Sequence, residues 1–274
     1  MSGRLPGQRL PARPVAPEAI ETYRRDGVVC LRGMFEQSWL DHLAAGIEQA
    51  MVERGPLAEV YTRPGAAGLF FGDLSLWKRL QPFRDFVFHS PAARIAAAVM
   101  GSRKVNFFYD QLLVKEPGTA ERTPWHQDQP YWAVAGRQVC SIWLPLDPVD
   151  LETAVEYVRG SHDWGVSYNP RHFLDQSPYQ GTGLPELPDI EADRARYDIG
   201  RWAMQPGDCL VFQAMIVHGA PGNRSARRRR ALATRWTGDD ATYLERPGEV
   251  AIPPENPGLR SGEPLDCAEF PRVI

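Results

Sequence analysis

Trp125-His126-Gln127-Asp128-Gln129-Pro130-Tyr131-Trp132 places a histidine and a carboxylate two residues apart. On a β-strand alternate side chains share a face, so His126 and Asp128 would point together into one cavity while Gln127 points away. An imidazole nitrogen beside a carboxylate oxygen makes two thirds of the two-histidine, one-carboxylate set that holds non-haem Fe(II). A third ligand is then needed, and the other histidines are His42, His89, His162, His172 and His218. His42 falls on the polar side of a helix and His89 precedes Ser90-Pro91, so both read as surface or capping residues. His172 lies in a variable loop. His162 closes the turn Gly160-Ser161-His162, where it could satisfy backbone groups. His218 follows the apolar pair Ile216-Val217 and precedes Gly219-Ala220-Pro221. That position suits a ligand reaching into a barrel, and equally a core histidine satisfied by hydrogen bonds.

A second chemical feature is the run Arg227-Arg228-Arg229-Arg230, which leads into Ala231-Leu232-Ala233-Thr234-Arg235-Trp236. Runs of this kind are usually solvated, but this one enters a strand. Period two puts Arg229, Ala231, Ala233 and Arg235 on one face, and Arg230, Leu232, Thr234 and Trp236 on the other. An inward arginine fork would pair bidentately with a dicarboxylate, and the spacing alone leaves the inward face open.

The elements that must position these groups follow from local pattern. Pro17-Glu18 opens a short helix to about Arg25, with proline in the first turn. Val28 to Leu31 is a short strand. Ser38 is a fair N-cap for a helix whose apolar stripe is Leu40, Leu43, Ala44, Ile47 and Met51, ended by Gly55-Pro56. Residues 56–76 read as irregular, and Pro91 to Met100 as a helix closed by Gly101. Strands are expected over Val105–Lys115, Val139–Leu144, Ala154–Val158, Cys209–Phe212, Ile216–His218 and Arg229–Thr237. Residues 163–200 lack periodicity and are long for an idle connection, which points to a lid or binding loop. Short helices followed by short strands with Gly/Pro turns predict a mainly β fold, one β-barrel or jelly roll with a helical flank. The expected layout is a flexible arm over 1–16 and a single domain over 17–274. Within that domain the β core covers about 103–237, the insertion 163–200, and a C-terminal wrap 239–274.

Composition sets the outer bounds. The chain has 274 residues, 43% of them hydrophobic, enough for one large domain with a full core. A formal net charge of −3 gives no sign of nucleic-acid or polybasic membrane binding. There is no apolar run of membrane-spanning length, and the Arg- and Pro-rich start does not read as a secretory signal. The four cysteines, Cys30, Cys140, Cys209 and Cys267, form no CxxC pair, so a reduced, cytoplasmic setting is expected. Oligomeric state is not legible.

The ordered set His126-x-Asp128, Trp143, Gly160-Ser161-His162, Pro206-Gly207-Asp208, His218-Gly219-Ala220-Pro221 and Arg229 resembles the phytanoyl-CoA dioxygenase family of Fe(II)/2-oxoglutarate oxygenases, which includes ectoine hydroxylase. The resemblance runs from about Glu18 to Trp236. It implies a double-stranded β-helix, a cupin-like jelly roll with helices on its outside. It also implies that His126, Asp128 and His218 ligate iron and that Arg229 binds the distal carboxylate of 2-oxoglutarate. That role for Arg229 makes the face with Ala231 and Ala233 the inward one. Two departures bear on the cosubstrate contacts: Thr153-Ala154 stands where Asn-Gly is common, and Ala220 where some members carry serine. Related halogenases lack the carboxylate ligand, so Asp128 speaks against halogenation.

The implied reaction consumes 2-oxoglutarate and O₂, releases succinate and CO₂, and hydroxylates an unactivated C–H bond of a small-molecule metabolite. Desaturation or ring closure would use the same residues. Gln111 and Trp143 are candidate cosubstrate contacts, and Tyr131, Trp132 and Arg235 candidate substrate contacts, with Arg235 meeting either an anionic substrate or a structural carboxylate. The substrate is expected to be a small free metabolite, polar or anionic, or a natural-product intermediate. Two other classes use the same residues: a metal-dependent hydrolase or isomerase on a cupin-like barrel, indifferent to Arg229, and a non-catalytic barrel that binds metal and a 2-oxo acid.

Overall fold

The computed structural model describes residues 13–274; most of the arm expected over 1–16 lies outside them. The elements run α1 (Pro17–Asp26), β1 (Val28–Leu31), α2 (Gln37–Val52), β2 (Glu59–Val60), β3 (Phe70–Leu74), α3 (Gln81–His89), α4 (Ala92–Met100) and β4 (Asn106–Lys115). They continue with β5 (Thr123–His126), β6 (Val134–Ala135), β7 (Val139–Pro145), β8 (Glu156–Val158), β9 (Ile199–Gly200), β10 (Cys209–Gln213), β11 (His218–Ala220), β12 (Arg229–Thr237) and β13 (Thr242–Tyr243). Seven strands form a major sheet in the order β1-β10-β7-β12-β4-β3-β2, and four form a minor sheet in the order β5-β11-β8-β9. Every pairing within the two sheets is antiparallel. Side chains of both sheets line one cavity between them. This is the jelly roll, or double-stranded β-helix, with its helices on the outside.

Alternation in the central strands builds both faces at once. Cys140, Ile142 and Leu144 of β7, Cys209 and Val211 of β10, and Leu232 and Trp236 of β12 pack into one apolar cluster with the helices. Trp143, Phe212, Ala231 and Ala233, on the opposite parity, face the cavity. β4 breaks its own parity. Phe107 lies in the helix-side cluster, and so do Leu112 and Val114. The register against β12 explains this: Arg235 pairs with Tyr109 and Trp236 with Phe107, so Phe108 is an extra residue. The bulge turns Tyr109, Gln111 and Lys115 toward the sites and leaves Phe108 to stack on Phe270 at 4.7 Å.

Several local expectations need correction. Residues 56–76 are not wholly irregular, since β2 and β3 extend the major sheet beyond β4. Their glycines and aromatics hid a strand of two residues and one of five. Helix α3 was not anticipated, although Pro82 occupies its first turn. Helix α2 starts at Gln37 with Glu36 at the cap position, so Ser38 lies inside it. The eighth strand starts at Glu156 and not at Ala154. The C-terminal segment returns to β4, where Phe107 N–H donates to Pro271 O at 2.9 Å and Asn106 Nδ2 to Phe270 O at 2.9 Å.

Asp110 of β4 ties the major sheet to the turn before α3. Its Oδ2 accepts from Trp77 N–H at 3.0 Å, its main-chain oxygen accepts from Ser75 N–H at 2.9 Å, and Oδ1 has no partner. Burial pushes this carboxyl up to about 7, against weaker opposing hydrogen bonds. An acid whose folded pKa is raised contributes stability below its unfolded pKa and loses it as pH rises through the folded value. Asp110→Asn keeps the acceptor for Trp77 and cannot ionise. It should therefore match the wild type near pH 4 and exceed it by roughly 2–4 kcal/mol above pH 7. Urea unfolding of both proteins at the two pH values tests this; a stability difference that does not change with pH refutes it.

Candidate active site

His126 is the last residue of β5 and His218 the first of β11, and the register pairs them directly. Their rings lie 4.2 Å apart, centroid to centroid. Each imidazole donates Nδ1–H to the carbonyl two residues earlier, His126 to Pro124 O at 2.8 Å and His218 to Ile216 O at 3.1 Å. A carbonyl only accepts, so these bonds fix the tautomer and leave both Nε2 lone pairs facing inward. Asp128 completes the group, its Oδ1 lying 3.5 Å from His126 Nε2 and 3.8 Å from His218 Nε2. One ligand atom from each residue falls within 4.8 Å of the others, and all three residues are buried.

Asp128 does not arrive as the strand pattern anticipated. β5 ends at His126, and Asp128 has φ −72° and ψ −47°, one residue before a 3-10 turn over Gln129–Tyr131. Convergence comes from the chain folding back, not from period two. Gln127 holds the turn: its Nε2 donates to Val166 O and Met215 O, and its Oε1 accepts from Tyr168 N–H. His218 likewise opens its strand instead of ending one over Ile216–His218.

The electrostatics suit a metal ion. Burial alone would raise the Asp128 carboxyl, but the nearby Arg235 guanidinium, with the two imidazoles beside it, holds it well below the usual range. Burial, and then His126, push the His218 imidazole down to about 3, so it is a neutral donor at physiological pH. Asp128 Oδ2 accepts from Ser141 Oγ at 2.9 Å, leaving Oδ1 free. Two imidazole nitrogens and one carboxylate oxygen, each oriented through its other polar atom, fit a divalent transition metal.

Arg229, Ala231, Ala233 and Arg235 all face the same cavity as the triad, so the inward face of β12 is the one the resemblance implied. Arg229 is 7% exposed. Its Nη1 donates to Thr153 O, so the residue at one departure from the family pattern supplies a carbonyl to it. Burial pushes this guanidinium down to about 10. Trp143 and Ala220 also line the cavity. Arg235 meets a structural carboxylate: Nε lies 3.8 Å from Asp128 Oδ2, and Nη2 donates to Gln111 Oε1 at 2.8 Å. Gln111 is thereby fixed facing both this inner cavity and an outer one that reaches Tyr131 and Trp132. The remaining histidines stay apart. His42 pairs with Asp85 at 2.9 Å, His162 bonds Arg24 O at 3.1 Å, and His89 is exposed.

The sequence reading missed Lys115, Ser141, Tyr157 and Phe173. Lys115 is 1% exposed and reaches the cavity beside Arg229, its strand partner. Its ammonium donates to Glu121 O at 3.0 Å and Pro221 O at 3.1 Å, over the Phe70 ring. Burial, with Arg229 nearby, pushes it well below the usual lysine range. Parity with Gln111 on β4 was the available signal. Tyr157 stacks on His218 at 5.5 Å and 14°. Phe173 comes from the 163–200 segment to meet His126 at 5.1 Å, and no local pattern marks it.

The phytanoyl-CoA dioxygenase (PhyH) family model matches residues 23–231. The chain belongs to the phytanoyl-CoA dioxygenase family. Among curated relatives, the dioxygenase lolE1 of Epichloe uncinata is 24% identical over 266 residues, covering 91% of this chain and 95% of that one. Among solved structures, the non-heme alpha-ketoglutarate-dependent carbocyclase SnoK from nogalamycin biosynthesis superposes with a TM-score of 0.76 at 23% identity, covering 95% and 97% of the two chains. Ectoine hydroxylase EctD of S. alaskensis gives 0.67 at 15% identity, covering 85% of this chain and 80% of that one. At these identities the structural likeness shows a shared fold. Family membership and the converged triad together make this phytanoyl-CoA dioxygenase family member an Fe(II)/2-oxoglutarate-dependent oxygenase. No helix among its described residues is long and apolar enough to cross a membrane.

Proposed function

We propose that this oxygenase hydroxylates an unactivated C–H bond of a small-molecule metabolite, releasing succinate and CO₂. The observation that carries the reading is that the triad and Arg229 open into one cavity between the sheets. In this reading His126 Nε2, Asp128 Oδ1 and His218 Nε2 hold the iron. Arg229 binds the distal carboxylate of 2-oxoglutarate, in space left by Ala231 and Ala233. Iron held there, with 2-oxoglutarate and O₂, supplies an oxidant strong enough for a C–H bond.

The chain's own residues do the positioning. Ser141 and Arg235 fix the Asp128 carboxylate, and the two backbone carbonyls fix the imidazoles. Trp143 walls the cosubstrate cavity. The outer cavity, bordered by Gln111, Tyr131 and Trp132, takes the substrate. The 163–200 segment supplies Arg171, His172, Phe173 and Tyr179 to that cavity and would serve as its lid, excluding water. One oxygenase domain over 17–274 and a cytoplasmic setting complete the reading, the latter supported by four free cysteines. The carbocyclase named above supports ring closure as a second outcome on this scaffold.

Anaerobic addition of Fe(II) and then 2-oxoglutarate to the purified protein tests the site. A visible charge-transfer band of a chelated 2-oxo acid should develop, followed by succinate release when O₂ is admitted. Metal binding without that band would transfer the chain to the hydrolase or isomerase class.

A further inference from the structure

The outer cavity has a chemical character that the iron and 2-oxoglutarate do not call for. Its walls are largely aromatic: Tyr61, Tyr131, Phe173 and Tyr179 contribute, besides Tyr109 and Trp132. The last two are already engaged on one side, since Arg235 lies 4.7 Å from the Tyr109 ring centroid and 5.9 Å from that of Trp132. The others pack edge to face or tilted. Tyr131 meets Tyr179 at 5.2 Å and 77°, and Tyr61 meets Phe173 at 5.9 Å and 55°. These four side chains border a common space.

The charges around that space are unbalanced. Glu59 borders it, is exposed, and forms no ion pair among the described residues. Glu249 stands close by: burial, then Glu249 and Glu59, push the Tyr179 phenol up to about 12. The basic side chains that border it are engaged. Arg171 pairs with Glu186 and donates to Gln176 O. His172 lies 3.5 Å from Glu249 and 4.5 Å from the Tyr179 ring. Arg235 sits behind its two rings, against Asp128 and Gln111. An anionic substrate, one of the classes the sequence left open, would meet aromatic rings and carboxylates there and no unengaged basic side chain on the wall. A positive group would find what attracts it, a cluster of aromatic rings and, at the entrance, a carboxylate without an ion pair among the described residues.

We infer that the outer cavity recognises a cationic amine, an ammonium or alkylated ammonium group seated among Tyr61, Tyr131, Phe173 and Tyr179 with Glu59 at the entrance. The inference deepens the oxygenase reading, because it names the substrate class of the same site. The amine acts as the handle, and a C–H bond on the carbon frame attached to it is presented toward the triad.

The test compares two probes of the same shape, choline and its uncharged carbon isostere 3,3-dimethylbutan-1-ol. Dissociation constants are measured by ligand-observed NMR on the anaerobic protein loaded with Zn(II), a redox-silent substitute, and 2-oxoglutarate. Choline should bind at least about tenfold more tightly than the alcohol. Glu59→Gln and Tyr179→Leu should each weaken choline severalfold and leave the alcohol unchanged. Glu59 is exposed, so its variant keeps the fold intact. Equal binding of the two probes, tighter binding of the alcohol, or no detectable binding of either would overturn the inference. The charge-transfer band of a parallel Fe(II) sample reports separately on the oxygenase site, so the two readings fail independently.

Discussion

Arg229→Ala should raise the 2-oxoglutarate concentration needed for half-maximal turnover by roughly 10²-fold, a loss of about 3 kcal/mol for a buried, charge-assisted bidentate pair. The side chain is 7% exposed and its resolved partner is a neutral carbonyl, Thr153 O. No carboxylate pairs with it among the described residues. An uncompensated buried guanidinium is costly, and the descent of its pKa to about 10 through burial records that cost. The charges in the cavity are consistent with a missing anion. Asp128 offers one negative charge, against the basic side chains Arg229, Arg235 and Lys115, before any divalent metal is added. A dianion such as 2-oxoglutarate reduces that excess of positive charge. The same reasoning separates this prediction from simple damage to the fold. Removing an unpaired buried charge should leave the melting temperature without cosubstrate unchanged or slightly higher, while the stabilisation added by 2-oxoglutarate shrinks. Arg229→Lys should recover only part of the affinity, because an ammonium cannot make the paired fork contact. Steady-state kinetics with varied 2-oxoglutarate, alongside thermal melts with and without it, give both readouts. An unchanged KM for 2-oxoglutarate in Arg229→Ala would end the assignment.

How far these sites could be read beforehand depended on how local the cause was. The four inward residues of β12 were legible because alternation is a property of the strand itself, and the register of β12 is unbroken over Arg229–Arg235. His126 and Asp128 were found as a pair by their spacing, yet the mechanism assigned to the spacing was wrong. A two-residue separation is shared by a strand and by a strand that ends in a turn, and only Gln127's bonds to Val166 and Met215 decide between them. Those bonds are long-range and leave no mark in the local pattern. His218 gained its role from its register with His126 across two strands far apart in sequence. The bulge at Phe108 shows the same limit. It inverts the faces of β4 at a position where the sequence Phe107-Phe108-Tyr109 is apolar on both sides. Phe173 and Glu59 belong to segments without periodicity, and their place at the outer cavity follows from the packing of whole loops. Arg235 shows the same limit: it was visible as a charge, but its engagement by Asp128 and Gln111, both distant in the sequence, follows only from the folded packing.

Asp128→Ala should lower turnover by on the order of 10³-fold or more and weaken metal binding by at least about 10²-fold, the larger of the effects at this site. Asp128 is the one anionic donor of the triad, and the two imidazoles, with His218 held neutral, contribute no charge to offset a divalent cation. Ser141→Ala removes only the hydroxyl that donates to Asp128 Oδ2. It should cost roughly 10–100-fold in metal affinity, the scale for groups that orient a ligand without touching the metal. The ordering of the two variants is therefore a test of geometry. If Oδ1 is the ligand and Oδ2 the oriented atom, the alanine at 128 must be much worse than the alanine at 141. The apo-protein supplies a control with the opposite logic. Without Asp128, Arg235 loses the carboxylate 3.8 Å from its Nε but keeps Gln111, Ala233 O and two aromatic faces, so the chain should still fold, at a cost of about 1–3 kcal/mol. Competition with a chromophoric chelator gives the metal affinities, and urea unfolding of the metal-free proteins gives the stability. Metal affinity within about threefold of wild type in Asp128→Ala would show that the carboxylate is held for Arg235 and not for iron.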